Sequence, residues 1–199
     1  METRARILHE SGELLREKGI AGFSMRGVAE RVGVTATALY RHFEDKDALL
    51  ATLLEQGFST FGQYLMRALA GKTPLERLRR AGQAYFDFAL EHPRDYALMF
   101  TTPCRDLGLE SVSEGAKARM DGTFVFLVDR IKECIDAGAF AEHDPRSTAL
   151  HVWATVHGVA SLRLNGQLDE LDELAFRQHV EFTLDRIEAS LVPAAAPPN

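Results

Sequence analysis

Residues 33–50 have the sequence GVTATALYRHFEDKDALL, which places an aromatic, a guanidinium and an imidazole side chain next to one another at Tyr40, Arg41 and His42. Leu39 and Phe43 are four positions apart, so on a helix they share one face. The three polar side chains then point away from that face. The pattern predicts a short helix that two apolar side chains hold from behind and that presents polar groups to a partner.

The segments around this short helix predict a helix-turn-helix. Ser24 is placed to cap a preceding short helix, and Gly33 is placed to end it. Thr35 can cap the next helix, and Lys46 begins a long helix whose leucines and phenylalanines recur every three or four positions. Two short helices separated by a glycine turn, at residues 24–43, have the spacing of that motif.

The rest of the chain also predicts helices, and the expected fold class is all-α. Apolar residues recur at three and four positions rather than at two, and no strand longer than a few residues is indicated. The first helix is expected to end at Gly19. TPLE at 73–76 is typical of a helix start, HP at 92–93 ends that helix, and Asp144 with Pro145 starts another. The last helix is expected at 172–191, and the tail at 193–199 is expected to be disordered.

Composition excludes several classes of protein. The chain has 199 residues, of which 46% are hydrophobic, enough for one ordinary domain or two small ones. Its apolar runs are shorter than the roughly 18 residues of a membrane span, and its first residues lack the apolar core of a secretory signal, so we expect a cytoplasmic protein. Cys104 and Cys134 belong to no CxxC or His cluster, so neither a metal site nor a disulfide framework is indicated.

The charge is unevenly distributed. The net charge is -6, yet residues 1–50 hold eight Lys and Arg against eight Asp and Glu, so the excess acid lies in the remainder. Residues 18–43 contain one acid, Glu30, and four bases, which are Lys18, Arg26, Arg31 and Arg41. A locally positive face is therefore expected on an acidic protein, and phosphate binding requires only such a face.

The outer face of the second short helix suits the major groove of DNA. Arginine can pair bidentately with guanine, Thr and Tyr hydroxyls can reach phosphates, and small residues such as Ala36 allow a close approach. The alternative is that this is an ordinary polar helix face, as any small helical bundle has. The side chains concerned are Thr35, Thr37, Tyr40, Arg41 and His42.

The run at 23–54, FSMRGVAERVGVTATALYRHFEDKDALLATLL, closely resembles the N-terminal signature of the TetR family of bacterial transcription regulators. The resemblance covers about residues 5–55 and rests on the turn glycine Gly33, the pairs Leu39-Tyr40 and His42-Phe43, and Lys46 followed by two leucines. It implies an all-helical protein with a three-helix DNA-binding domain at 1–47 and a ligand-binding and dimerising domain at 48–192.

The resemblance also assigns roles to matching positions. Arg26 and Arg41 are candidate base contacts, and Lys46 is a candidate phosphate contact. Ala36 and Ala38 stand where some members have polar residues, so base contacts are expected to depend more on Arg26, Thr37 and Arg41. Candidate contacts to phosphates or bases are Thr35, Thr37, Tyr40 and His42.

WATVHGVASL at 153–162 resembles a WxxxHG motif found in one branch of the family's C-terminal domains. Trp153 and His157 are four apart and share a helix face, where they would line a cavity for a ligand. The alternative is that His157 is a satisfied core residue and that Gly158 allows close helix packing. The other residues expected at the cavity are Met99, Phe100, Met120 and Phe124.

An enzyme is not indicated. The sequence has no GxSxG after a strand, no HExxH and no GxGxxG, and no cofactor or metal is expected. The expected function is a homodimeric repressor that pairs through 145–164 and 172–191, binds a palindromic operator and is released by a small apolar or aromatic effector. Two alternatives remain open: a ligand-independent DNA-organising or division-control protein, and a ligand-binding bundle whose helix-turn-helix is vestigial.

Overall fold

A computed structural model of the chain describes residues 3–102 and 112–193, and every regular element in these ranges is helical. The all-α class is confirmed. The tail expected to be disordered lies outside the described residues except for Pro193, and Cys104 also lies outside them. The helices are α1 (Thr3–Gly22), α2 (Met25–Val32), α3 (Ala36–Tyr40), α4 (Lys46–Arg67), α5 (Pro74–Glu91), α6 (Pro93–Phe100), α7 (Glu114–Asp136), α8 (Pro145–Leu164) and α9 (Glu173–Leu191), with a 3-10 turn at Ala68–Ala70 after α4.

Contacts divide the chain into two compact units. The first comprises Met1–Thr60 and His92–Met120, and the second comprises Phe61–Glu91 and Asp121–Asn199. The boundaries therefore fall within α4 and α7 and between α5 and α6. A domain division between residues 47 and 48 stays a prediction.

In the first unit, α1 packs against both α2 and α6. Ile7 and Leu14 of α1 are buried, and Arg94 of α6 forms an ion pair with Glu13 of α1. Helix α1 breaks at Gly19, where the sequence predicted its end, and a short helical segment then continues to Gly22. Gly19 leaves the helical conformation at φ 62° and ψ -179°, a region that glycine adopts without strain.

In the second unit, α5 packs against α8 and α9. All three helices begin where the sequence predicted, because each has a side chain that accepts a hydrogen bond from a backbone N–H of the first turn. The Thr73 hydroxyl accepts from Glu76 N at 3.1 Å, Asp144 from Ser147 N at 2.7 Å, and Asp172 from Ala175 N at 2.8 Å.

Helix α8 is apolar nearly all round, and such a helix is expected to be buried on most sides. Within the second unit it buries one side, including Ala149, Val152 and Val156. Leu150 is 53% exposed and Leu162 is 41% exposed. The other sides of α8 are therefore not covered in a single chain, and burial on most sides stays a prediction for an assembly with a second copy.

Candidate nucleic-acid interface

The turn between α2 and α3 is fixed by the residues that the sequence singled out. Ser24 accepts a hydrogen bond from Gly27 N at 3.1 Å and so caps α2. Gly33 ends α2 in the left-handed region, at φ 73° and ψ 35°, where an L side chain is strained. The Thr35 hydroxyl accepts from Ala38 N at 3.1 Å and caps α3. The Gly33 N–H also donates to Ala29 O and Glu30 O, so local hydrogen bonds hold the helix-turn-helix at three points.

Helix α3 has one buried side and one exposed side. Leu39 is completely buried and Phe43, just beyond the helix, is 4% exposed, whereas Tyr40 is 52% exposed. Thr35, Ala36, Thr37, Arg41 and His42 are also exposed. Within the described part of the chain, the side chains of Arg41 and His42 have no hydrogen-bonding or ionic partner. The exposed side is therefore available to an external partner.

The short helix is shorter than the sequence predicted. It ends at Tyr40; Arg41 is its C-terminal cap, and Arg41 and His42 lie in the turn that follows. The last turn tightens because Leu39 O accepts from both His42 N at 2.9 Å and Phe43 N at 3.1 Å. Placing Arg41 and His42 inside the helix was therefore wrong, although both side chains remain on the exposed surface beside it.

The positive face predicted from residues 18–43 is smaller than the sequence count suggested. The Arg31 guanidinium pairs with Glu10 at 3.1 Å and with Glu17 at 2.6 Å, both carboxylates of α1. The hydrogen bond from Arg31 lowers the pKa of Glu17, which keeps this carboxylate charged. Arg31 therefore fastens α2 to α1, and its charge is offset.

Two of the predicted contact residues have partners of their own. Arg26 pairs with Glu30 at 3.1 Å, but the side chains are 87% and 68% exposed, and such a pair contributes only about 0.3–0.5 kcal/mol. Arg26 can therefore leave Glu30 at little cost. The Lys46 ammonium donates to Ile20 O at 3.3 Å and lies 5.7 Å from the centre of the Phe23 ring. Its role at a phosphate stays a prediction.

Sequence reasoning missed Arg4. Its guanidinium carbon lies 5.0 Å from the centre of the Phe43 ring, next to the C-terminal end of α3. The two residues are far apart in the chain, and only the number of arginines near the start of the sequence could have drawn attention to it.

The six residues predicted to line a ligand cavity fall in both units. Met99, Phe100 and Met120 belong to the first, and Phe124, Trp153 and His157 belong to the second. Within the second unit, Trp153 lies beside Phe124 and His157, with ring centres 6.0 Å and 5.9 Å apart respectively. A cavity that combines all six residues stays a prediction.

His157 is held by polar neighbours in the second unit. Its Nδ1 lies 3.0 Å from the Tyr85 hydroxyl and its Nε2 lies 3.4 Å from the Ser161 hydroxyl. Burial lowers the pKa of His157, which favours the neutral ring at neutral pH. A neutral imidazole has one donor and one acceptor nitrogen, so it can pair with both hydroxyls or exchange one for a ligand.

A surface groove that the sequence did not reveal lies between α5 and α9 of the second unit, with a volume of about 540 Å³. Phe86, Leu90 and Phe176 form part of its wall, and the 57% exposed Phe182 lies at it. The acids Asp87, Glu181 and Asp185 also border it. The groove therefore extends the exposed apolar surface of α9.

Among residues 3–102 and 112–193, no helix has both the length and the apolar character needed to span a bilayer. The same residues contain no group of three or more His, Cys, Asp or Glu side chains that could hold a metal ion.

The all-helical fold and the exposed side of α3 are typical of one class of protein, the helix-turn-helix DNA-binding regulators. Residues 7–53 match the family described as "Bacterial regulatory proteins, tetR family", and residues 78–187 match "Tetracyclin repressor-like, C-terminal domain". The chain therefore belongs to the TetR family, as its helix-turn-helix sequence predicted. Named relatives that match it, FasR among them, are transcription regulators.

Three similar proteins illustrate the relationship. The HTH-type transcriptional activator FasR of Mycolicibacterium smegmatis is 31% identical over 100 residues. The match covers 50% of this chain and 46% of FasR, so the chain spans less than half of that relative. The structure of a protein of unknown function from Rhodococcus sp. RHA1 is 27% identical, with a TM-score of 0.79 over 97% of each chain. The TetR family transcriptional regulator PfmR from Thermus thermophilus shares the fold, with a TM-score of 0.74, 22% identity and coverage of 92% of this chain and 97% of PfmR.

Proposed function

We propose that this regulator is a homodimeric repressor that binds a palindromic operator in the cytoplasm and is released by a small apolar or aromatic effector. The observation that carries the proposal is the two-sided short helix. Leu39 and Phe43 are buried, while Thr37, Tyr40 and Arg41 are exposed on the other side. An arginine without a carboxylate partner can pair bidentately with guanine, and the hydroxyls can donate to phosphates.

Symmetry is part of the proposal because α3 has only five residues and contacts few base pairs. Two copies related by a two-fold axis would contact half-sites about 34 Å apart, one turn of DNA. Support comes from the apolar side chains that α8 and α9 expose. Leu150 and Leu162 on α8 are 53% and 41% exposed, and Leu174 and Phe182 on α9 are 67% and 57% exposed.

Gly158 adds to this support. A Cβ atom placed on Gly158 would meet no atom of the described chain within 4 Å, and Gly158 lies on α8 four positions before Leu162 and eight after Leu150. Residues at this spacing share a helix face, so the face is apolar at both ends and lacks a side chain in the middle. A helix of a second copy could approach closely there, and α8 and α9 would then form a four-helix bundle with their copies.

The effector part of the proposal is supported by contacts inside the first unit. A Cβ atom at Gly57 of α4 would lie 2.9 Å from the Met99 sulfur of α6, so α6 lies very close to α4. The rings of Phe58 and Phe100 also meet, with centres 6.0 Å apart. A ligand that shifts α6 would therefore shift α4, the helix that follows the DNA-binding motif. In the dimer this would change the distance between the two copies of α3. A coupling free energy of about 1–3 kcal/mol between ligand and DNA would suffice for regulation.

The DNA part is tested by a gel shift with duplexes selected from a random pool by the wild-type protein. The double variant Tyr40→Phe with Arg41→Ala is expected to lose specific binding while its melting temperature stays unchanged, because both side chains are exposed. Arg80→Ala, at an exposed position of α5, is the matched control and should bind normally. Undiminished binding by the double variant would remove the assignment of the interface.

The effector part is tested by fluorescence, because Trp153 is the only tryptophan in the chain. A compound that binds next to the rings of Phe124, Trp153 and His157 should change the emission of Trp153 and release the selected duplex at the same concentration. A broad panel of apolar and aromatic compounds with no effect on either signal would favour a regulator that acts without a ligand.

A further inference from the structure

Arg4 lies before both regions that match the family, which are residues 7–53 and 78–187. Its guanidinium carbon is 5.0 Å from the centre of the Phe43 ring, and Phe43 itself is 4% exposed. The side chain of Arg4 therefore runs from the start of α1 to the C-terminal end of α3. Phe43 directly follows the exposed turn residues Arg41 and His42 in the chain, so the cation is held next to the end of that turn.

The charges around this point make the cation significant. Phe43 is followed by the exposed acids Glu44 and Asp45, which would repel a phosphate backbone at the end of α3. Among the residues that the structure describes, Arg4 has no carboxylate partner, in contrast to Arg31, which has two. The charge of Arg4 is therefore available to a ligand, and its contact with Phe43 holds it in place.

We propose that Arg4 binds a phosphate of the operator backbone beside the C-terminal end of α3. The inference rests on the proposed function and adds a contact from α1 to the DNA-binding surface. Two observations support it: the charge of Arg4 has no carboxylate partner among the described residues, and the Phe43 ring holds the side chain next to the C-terminal end of α3 before DNA binds. A phosphate contact fixes the position of the protein on DNA and carries no base preference of its own.

The chain provides a matched control in Arg6. Residues two positions apart on a helix point in directions about 200° apart, so Arg6 projects from the opposite side of α1. Arg6 is also exposed and has no ionic partner among the described residues. Arg4→Met and Arg6→Met therefore remove the same charge from neighbouring positions with different directions.

The experiment measures the affinity of both variants and of the wild type for the selected operator duplex over a series of salt concentrations. For Arg4→Met, the slope of log K against log salt should become less negative by about 0.9 for each lost contact, about 1.8 for a dimer. Its affinity at physiological salt should fall several-fold while its ranking of base substitutions in the operator stays unchanged. Arg6→Met should keep the wild-type slope.

Stability is measured in parallel because Arg4 covers a buried ring. Methionine keeps an apolar stem over Phe43, so the melting temperature should stay close to that of the wild type. If it falls, Arg4→Lys supplies the second comparison. This variant keeps the charge and should keep a salt slope closer to that of the wild type than Arg4→Met does.

Three results would overturn the inference. A wild-type slope for Arg4→Met, while Arg41→Ala still loses specific binding, would remove the Arg4 contact and leave the proposed function intact. Equal losses for Arg4→Met and Arg6→Met would assign the effect to net charge instead of a contact. Failure of the wild type to select any duplex would overturn both the proposed function and this contact.

Discussion

Replacing Leu39 by alanine tests whether this buried side chain holds α3 in place, independently of the exposed side chains proposed to contact DNA. The Leu39 side chain is completely buried, and it is the only buried residue within α3. Truncating a buried leucine costs about 2–5 kcal/mol, because apolar burial is lost and a cavity remains. A helix of five residues has almost no stability of its own, so α3 depends on the burial of Leu39 and of Phe43 just beyond it.

We expect the Leu39→Ala protein to lose about 3 kcal/mol, near the middle of this range. At about 2–4 °C per kcal/mol for a chain of this size, the melting temperature should fall by roughly 6–12 °C. Urea denaturation followed by far-ultraviolet circular dichroism measures the free energy of unfolding. Hydrogen exchange should locate the loss of protection in the first unit.

Arg41→Ala is the matched control, since Arg41 is exposed and adjacent to α3. It should change stability by no more than about 0.5 kcal/mol and yet abolish specific binding. A loss below about 1 kcal/mol for Leu39→Ala, outside the range for buried leucines, would refute the view that this side chain holds the helix. A large loss of stability for Arg41→Ala would refute the view that its side chain serves only the partner.

Three further predictions concern other parts of the molecule. Gly158→Trp should leave the chain folded but convert the dimer into a monomer, as measured by sedimentation velocity, whereas Gly158→Ala should preserve the fold. A dimer of the Gly158→Trp variant would exclude this face as the interface. Hydrogen bonds from Ser147 lower the pKa of Asp144, so the carboxylate stabilises the fold at neutral pH, and this contribution is lost as the pH falls through the lowered pKa. The melting temperatures of the wild type and Asp144→Ala should therefore converge in acid. A difference that stays constant with pH would contradict the role of Asp144 as a cap. Arg31→Gln should lower the melting temperature, because it removes the ion pairs with Glu10 and Glu17. Since the Arg31 charge is already paired, this variant should change the salt slope of DNA binding less than Arg4→Met does. A larger change in slope for Arg31→Gln would show that Arg31 contacts DNA.

Much of the fold could be predicted because its signals are local. Ser24, Thr35, Asp144 and Asp172 each cap a helix through a backbone N–H three residues later, an arrangement visible in the sequence as a polar residue before an apolar repeat. Gly33 was recognisable for the same reason, since ending α2 there requires a left-handed residue.

The features that escaped prediction depend on residues distant in the chain. Glu10 and Glu17 are 21 and 14 positions from Arg31, so a count over residues 18–43 could not include them. Arg4 contacts Phe43 only because the chain folds back and brings the end of α3 against the start of α1. The end of α3 at Tyr40 was missed for another reason: the burial of Phe43 suggested a continuing helix, although a tightened turn places the ring equally well.

The division of α3 into a buried and an exposed side has a consequence for how this protein could acquire new targets. Its scaffold depends on the buried Leu39 and Phe43, while exposed positions such as Thr37, Tyr40 and Arg41 contribute little to folding. Substitutions at the exposed positions can therefore accumulate without a stability penalty. A library randomised at those three positions alone should yield mostly folded proteins, from which variants specific for altered operators could be selected.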